Sequence, residues 1–536
     1  MSALVTSLSR LDLMTLERLA GATIVRAVSA AYDTNRETEL ARLVVDRYGV
    51  TLLKLREVRD CLVETLPKAR AEAWCQELRL EHPDKTAYRL LLEYFQGVFT
   101  HAKAEALVRG LNLDPALIPI PQVDLRPASE RLTVAFGEEV KLKGYLHPYQ
   151  KRAKDDLLGS ILQHAPRQML QMPTGAGKTV TALEVVADVL RQPNFHGLVT
   201  WIVDSSELAE QALQSFKELW RVRGDFPVMT HRLFGDFNPT LVSNEPGVVF
   251  AGFAKVYATL RSGDESGRNR IGELCRRSQL VIVDEAHHAV ADTYEPIIRR
   301  LIDGGATLVG LSATPGRNDE FEQTDLARLF DNRLISLRDD SGKAADDAIS
   351  YLRRGGYLAE VDFAELSTGA SCSSTQESTV CEELAQNPER NQQIVGELKK
   401  CQLLGEPTIV FACTKEHVFA LVALCRAQDL EVGFIVGETP SSHRLEMLER
   451  FRSGSLKLLI NHEILSTGVD LPSVRRLVIT RPVGSPILYS QMIGRALRGP
   501  LNGGNAKNTI VNIRDNLLNF PSASFVYESF RQSFGH

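Results

Sequence analysis

Residues 170–181 read Leu-Gln-Met-Pro-Thr-Gly-Ala-Gly-Lys-Thr-Val-Thr, a glycine-flexible loop that runs straight into an apolar-periodic segment carrying Ala182, Leu183, Val185, Val186, Val189 and Leu190. The backbone N–H groups of Thr174, Gly175, Ala176 and Gly177 can cradle an anion, and the positive end of the following helix adds to the attraction. Lys178 can reach terminal phosphates, and the Thr179 hydroxyl can ligate Mg²⁺. A nucleoside triphosphate, with ATP and Mg²⁺ as the pair, is the expected fuel. Met172 stands where the strict pattern has glycine. A plain glycine-rich turn between strand and helix is the competing reading.

About a hundred residues on, Gln279-Leu280-Val281-Ile282-Val283 is an apolar, β-branched run that reads as a buried parallel strand. It ends in Asp284-Glu285. A carboxylate at the carboxyl end of such a strand lies at the crevice where α/β sheets bind ligands. Asp284 is the candidate to hold Mg²⁺, and Glu285 to orient or deprotonate the attacking water. A solvated turn is the bland alternative. Farther along, Tyr489-Ser-Gln-Met-Ile-Gly-Arg-Ala-Leu-Arg498 is read as one helix. Gln491, Arg495 and Arg498 then stand at i, i+4 and i+7 on a single face. Two guanidiniums sharing a face call for solvent or for anions, and phosphate oxygens are the natural anions. Arg495 and Arg498 are candidate charge-stabilising residues, with Gln491 against the γ-phosphate or the water.

These groups need elements to hold them. Residues 1–118 carry apolar residues at helical spacing, as in Leu11, Leu13, Leu16, Leu19 and in Leu40, Leu43, Val44, with almost no strand-like alternation. Prolines 115, 119, 121 and 127 mark an extended linker, set at 119–140. From about residue 141 strands alternate with helices: Gln168–Gln171, Leu198–Val203, Val248–Gly252, Leu280–Val283 and Thr307–Leu311, ending near 336. A second set fills 337–536: Ala359–Leu366, Thr408–Ala412, Gly433–Val436, Lys457–Asn461 and Arg476–Thr480. Such alternation predicts an α/β fold with parallel sheets covered on both faces. The polar run Ser367–Thr379 is expected to be an exposed loop.

At 536 residues the chain is too long for one core. Its 44% apolar and 24% charged content is that of a soluble globular protein. A formal net charge of −5 gives no global basic signature, so any nucleic-acid contact needs a local cationic groove. Eight scattered cysteines show no paired metal spacing and read as reduced thiols. The first residues lack a signal-peptide pattern, and no apolar segment approaches the roughly 20 residues of a membrane span. A cytoplasmic location and no membrane partner are the expectation.

The order of motifs resembles superfamily 2 helicases and translocases over residues 141–517. Leu146-His-Pro-Tyr-Gln150 resembles the adenine-reading element, which implies a base contact by Gln150. Residues Met172 to Thr179 match the superfamily's own phosphate-loop form. Asp204 to Gln211 and Gly252 to Lys255 resemble backbone-contacting elements for nucleic acid, and Val410 to Thr414 resembles their counterpart in the second unit. Asp284-Glu-Ala-His287 is the signature box, and Ser312-Ala-Thr314 resembles the coupling motif. Gly468 and Asp470 match the element that senses nucleotide across the cleft, and Gln491 to Arg498 the arginine motif. The forms of the last two are similar to type I restriction (ResIII-like) and XPB-like DNA motors. The sequence departs from that pattern at His147, where arginine is usual, and in lacking an Arg-Glu-Asp element. The resemblance implies two tandem RecA-like domains, 141–336 and 337–536, preceded by an all-α domain over 1–118. It implies an ATP-dependent helicase or translocase acting on nucleic acid, DNA ahead of RNA. A nucleotide-gated DNA clamp within a restriction- or defence-type complex, and an RNA helicase, are the competing readings. For residues 1–118 two roles stand equal: guiding substrate or docking a protein partner, or bracing the first RecA-like domain.

Overall fold

The computed structural model describes residues 2–96, 99–118, 126–133, 146–163, 165–241, 245–262, 264–286, 289, 294–313, 320–343, 348–372, 374–465, 471, 474–482 and 486–517. The first α/β unit is built on β1 (Ser129–Leu132), β2 (Arg167–Gln171), β3 (Leu198–Val203), β4 (Val228–Leu233), β5 (Gly247–Gly252), β6 (Ser278–Asp284), β7 (Thr307–Ser312) and β8 (Leu334–Ile335). They lie in the order β1-β4-β5-β3-β6-β7-β2-β8. Every pairing is parallel except that of β1 with β4. β3 and β5 sit inside this sheet, and every residue of both is buried, which is why they read as unbroken apolar runs.

The second unit carries β9 (Glu360–Cys372), β10 (Thr408–Phe411), β11 (Val432–Ile435), β12 (Leu458–Asn461), β13 (Arg476–Ile479) and β14 (Lys507–Leu517). Their order is β11-β12-β10-β13-β14-β9, all parallel. In a parallel sheet all carboxyl ends share one edge. Residues that follow β2, β6 and β7 are thus brought together although they are far apart in sequence.

Three expectations change. Residues 129–132, inside the expected linker, form an edge strand of the first sheet. The polar run from Ser367 is no loop at its start: residues 367–372 continue β9 alongside β14. β9 is an edge strand with mostly exposed or half-exposed side chains, so polar residues suit it. Among the described residues the amino-terminal helices pack on the second unit, where the bracing reading had the first. The helix Lys415–Ala427 is buried at every position from His417 to Cys425, so it needs cover on all sides. The helix Ala22–Ala31 supplies part of that cover, and both belong to one apolar core. Around its rim Arg426 pairs with Asp46 (3.0 Å) and Glu39 (3.5 Å), Arg47 pairs with Glu416 (2.9 Å), and the Tyr32 hydroxyl donates to the Ala423 carbonyl.

Candidate nucleotide-binding cleft

β2 delivers the loop. The Met172 N–H donates to the Ser312 carbonyl at the end of β7 (3.0 Å), and the Ala176 N–H returns to the Pro173 carbonyl (3.0 Å). Met172 is fully buried and lies ahead of that turn, so the position asks for an apolar anchor and not for glycine. The turn itself needs glycine: Gly175 and Gly177 have φ of 83° and 79°. Gly177 caps the helix Lys178–Leu190, whose amino end therefore faces the loop.

Four side chains meet at this point. Lys178 Nζ lies 3.2 Å from Glu285 Oε1, and the Thr179 hydroxyl donates to Asp284 Oδ2 at 3.4 Å. Asp284 Oδ1 accepts the Glu285 N–H at 3.1 Å. Burial pushes the Asp284 carboxyl up to about 6, against the pull of the Lys178 ammonium. Glu285 has φ of 53°, a left-handed conformation that costs a residue with a Cβ about 1 kcal/mol. The Thr179 hydroxyl and Asp284 carboxylate are hard oxygen donors. They would suit a small divalent cation, which favours oxygen ligands of this kind. Among the described residues no three His, Cys, Asp or Glu side chains converge into a protein-only metal cage.

Gln150, expected at the base edge, is turned onto the loop. Its Oε1 accepts the His147 N–H (2.9 Å) and its Nε2 donates to the Ala176 carbonyl (3.0 Å). The hydroxyl of Tyr149, a fully buried residue, donates to the same carbonyl at 3.0 Å. A base could gain the Gln150 amide only by exchanging these bonds.

The second unit closes the other side. The run expected as one helix is not one: the helix Pro486–Ile493 tightens to a 3₁₀ turn over Gly494–Ala496, and Arg498 forms a β-bridge with Leu358. Arg498 therefore does not share a helical face with Gln491. Glycine at 494 and 499 weakens the helix just where it ends. The absent side chain of Gly494 is what lets the turn approach: a Cβ there would lie 2.1 Å from Thr174 Cγ2. Leu358 and Leu497 face Gly175 in the same way, at 3.2 and 3.5 Å from the position of its missing Cβ. The backbone of the arginine segment thus rests on the phosphate loop. Gln491 is half-buried on the helix before it. The Arg495 side chain lies outside the described residues, as do Gly468, Asp470, His287 and Thr314.

Away from the loop, Asp204 follows β3 and accepts from the Tyr294 hydroxyl, whose ring stacks on Phe253 at 4.0 Å. Gly252 ends β5, and Phe253 to Lys255 follow it on the same carboxyl edge. Thr414 caps the helix after β10, accepting the His417 N–H at 3.1 Å. Tyr149, Ser312 and Gly494 lie inside motifs that the sequence singles out, but their own contacts in the cleft, with Ala176, Met172 and Thr174, were not foreseen. Gly494 left a signal, being a lone glycine in a helical pattern.

Residues 143–317 match the family described as type III restriction enzyme, res subunit, and residues 389–500 match the helicase conserved C-terminal domain. The chain is 26% identical over 374 residues to the "Putative ATP-dependent helicase IRC3" of Saccharomyces cerevisiae, covering 66% of this chain and 49% of that one. It is 26% identical over 409 residues to the type I restriction enzyme EcoKI endonuclease subunit of Escherichia coli, covering 66% of this chain and 33% of the relative. The chain therefore spans half or less of the length of these two relatives. Its fold is similar to that of the ATP-dependent type ISP restriction-modification enzyme LlaBIII bound to DNA. That likeness has a TM-score of 0.51 and 14% identity, over 73% of this chain and 30% of that one.

Proposed function

We propose that this chain, which belongs to the superfamily 2 helicases and translocases, is an ATP-driven motor that steps along DNA. The observation that carries the reading is the contact of Gly494 with Thr174, which sets the arginine segment of one RecA-like unit on the phosphate loop of the other. A ligand bound at that loop would be gripped from both units.

In this reading Thr174, Gly175, Ala176 and Gly177 cradle the phosphates of ATP, and Lys178 leaves Glu285 for the β- and γ-phosphates. Glu285, released, orients the attacking water and accepts its proton. Thr179 and Asp284 hold Mg²⁺, which supplies charge neutralisation at the phosphates. Gln491, Arg495 and Arg498 are the second unit's candidates to reach the γ-phosphate, with Gly468 and Asp470 as nucleotide sensors. Hydrolysis removes the bridge between units, and the cleft opens. Alternating grip by the segments Asp204 to Gln211, Gly252 to Lys255 and Val410 to Thr414 then turns opening and closing into steps along a phosphate backbone. Such contacts read no bases, so activity should fall steeply with salt. DNA is preferred to RNA as track because restriction enzymes recur among the similar proteins. The bracing of the second unit by residues 2–110 supports a structural role for the amino-terminal helices.

ATP turnover is measured with single-stranded DNA, double-stranded DNA and RNA, for the native chain and Lys178→Ala, together with displacement of a triplex third strand. The expected result is DNA-stimulated turnover, displacement, and a loss of at least about a hundredfold in the variant. Turnover that survives Lys178→Ala removes the loop from the mechanism. Turnover without displacement makes the protein a clamp.

A further inference from the structure

The two units also meet behind the phosphate loop, at the start of the helix Pro148–Leu162. His147 Nε2 lies 2.8 Å from Asn502 Oδ1, across 355 residues of sequence. The amide nitrogen of Asn502 donates to the Tyr357 carbonyl at 2.7 Å, so its oxygen is left to accept and the imidazole proton sits on Nε2. The Tyr357 ring packs 4.7 Å from the His147 ring and 4.8 Å from that of Tyr149. Tyr149 and Gln150 both donate to the Ala176 carbonyl inside the phosphate loop. Asn502 is therefore linked to the loop by an unbroken chain of contacts: imidazole, the next turn of the helix Pro148–Leu162, and the two donors on Ala176.

We infer that Asn502 is a positioning residue for ATP binding, holding the second unit against His147 so that the phosphate loop is set before nucleotide arrives. The inference rests on the proposed ATP-dependent function. A cleft held ready binds nucleotide more tightly than one that must first assemble, because apparent affinity falls with the fraction of competent molecules. Chemistry occurs at Lys178, Thr179, Asp284 and Glu285, which Asn502 does not touch. Its loss should therefore act on ATP affinity and spare the rate at saturation.

The test measures the Kd of a fluorescent ribose-labelled ATP analogue, then KM and kcat for ATP with DNA present. The proteins are the native chain, Asn502→Ala, His147→Leu, the double variant, His147→Arg, and His147→Arg combined with Asn502→Ala. Each of the first two single variants should raise Kd and KM about three- to tenfold, the effect of one hydrogen bond, with kcat held within about twofold. The double variant should fall short of the product of the two single effects, because both remove the His147–Asn502 bond. A guanidinium can also donate to an amide oxygen, so His147→Arg should retain native affinity with Asn502 present and lose it with Asn502→Ala. Unchanged affinity in Asn502→Ala, single effects that multiply in the double variant, or an arginine effect indifferent to residue 502 would each overturn the inference. Native protein that binds the analogue but turns over no ATP would sink the motor and still decide the role of Asn502. Native protein that binds no ATP analogue would overturn both.

Discussion

Gly494→Ala tests the contact on which the cleft depends. The new methyl carbon would lie 2.1 Å from Thr174 Cγ2 and 3.3 Å from its Cβ. Ordinary carbon–carbon contact is about 3.5 Å, so the segment must retreat by roughly 1.4 Å or Thr174 must turn. Threonine is stiff at χ1, which leaves retreat as the cheaper response. A displacement of about 1 Å between groups that must act together costs on the order of a hundredfold in rate. Gly494→Ala should therefore lower kcat for DNA-stimulated ATP hydrolysis by about ten- to a hundredfold. The fold itself should not suffer, because alanine is the better residue in a helical turn by up to about 1 kcal/mol. The melting temperature is the control for that point. Thr174→Ser deletes the obstructing methyl and keeps the hydroxyl, so Gly494→Ala with Thr174→Ser should recover most of the lost rate. Native kcat in Gly494→Ala, or a loss that Thr174→Ser leaves untouched, would refute the idea that this approach of the two units sets the rate.

Two further predictions concern stability. Arg426→Met takes from Glu39 and Asp46, whose side chains are 11% and 9% exposed, the guanidinium that both pair with. About 3 kcal/mol should be lost in urea denaturation, and an unchanged midpoint would show that the apolar core alone holds the helices to the second unit. His231, buried and 2.8 Å from the Ser129 hydroxyl, is depressed to about 4, chiefly by burial and then by Arg277. Its pKa is higher in the unfolded chain, about 6.5, so between these values the unfolded state binds the extra proton. Stability then falls as pH drops through that window, by roughly 2 kcal/mol at pH 5. His231→Gln should flatten that slope, and an identical slope in the variant would assign the loss to other groups.

The sequence by itself determined the order of the strands and which residues follow their ends. Strands such as β3 and β5 are buried on both faces, and glycine, lysine and carboxylate follow strand ends at spacings that local physics makes readable. Most strands were found within a residue or two on that ground. β4, a strand that escaped, carries polar residues whose partners are remote: His231 and Arg232, whose contacts include Ser129 and Glu210. No neighbouring residue could announce them. β1 was hidden among prolines, and the polar end of β9 is tolerable only because that strand lies at an edge. The arginine run was periodic enough to pass for one helix. Glycine at 494 and 499 weakens it where it ends, and the missing side chain at 494 admits another unit, a close contact that no periodicity records. The choice of the second unit as the seat of the amino-terminal helices, and the pairing of His147 with Asn502, were likewise decided by tertiary packing. Helical spacing says that a face must be covered, but complementary shape and charge across hundreds of residues select what covers it.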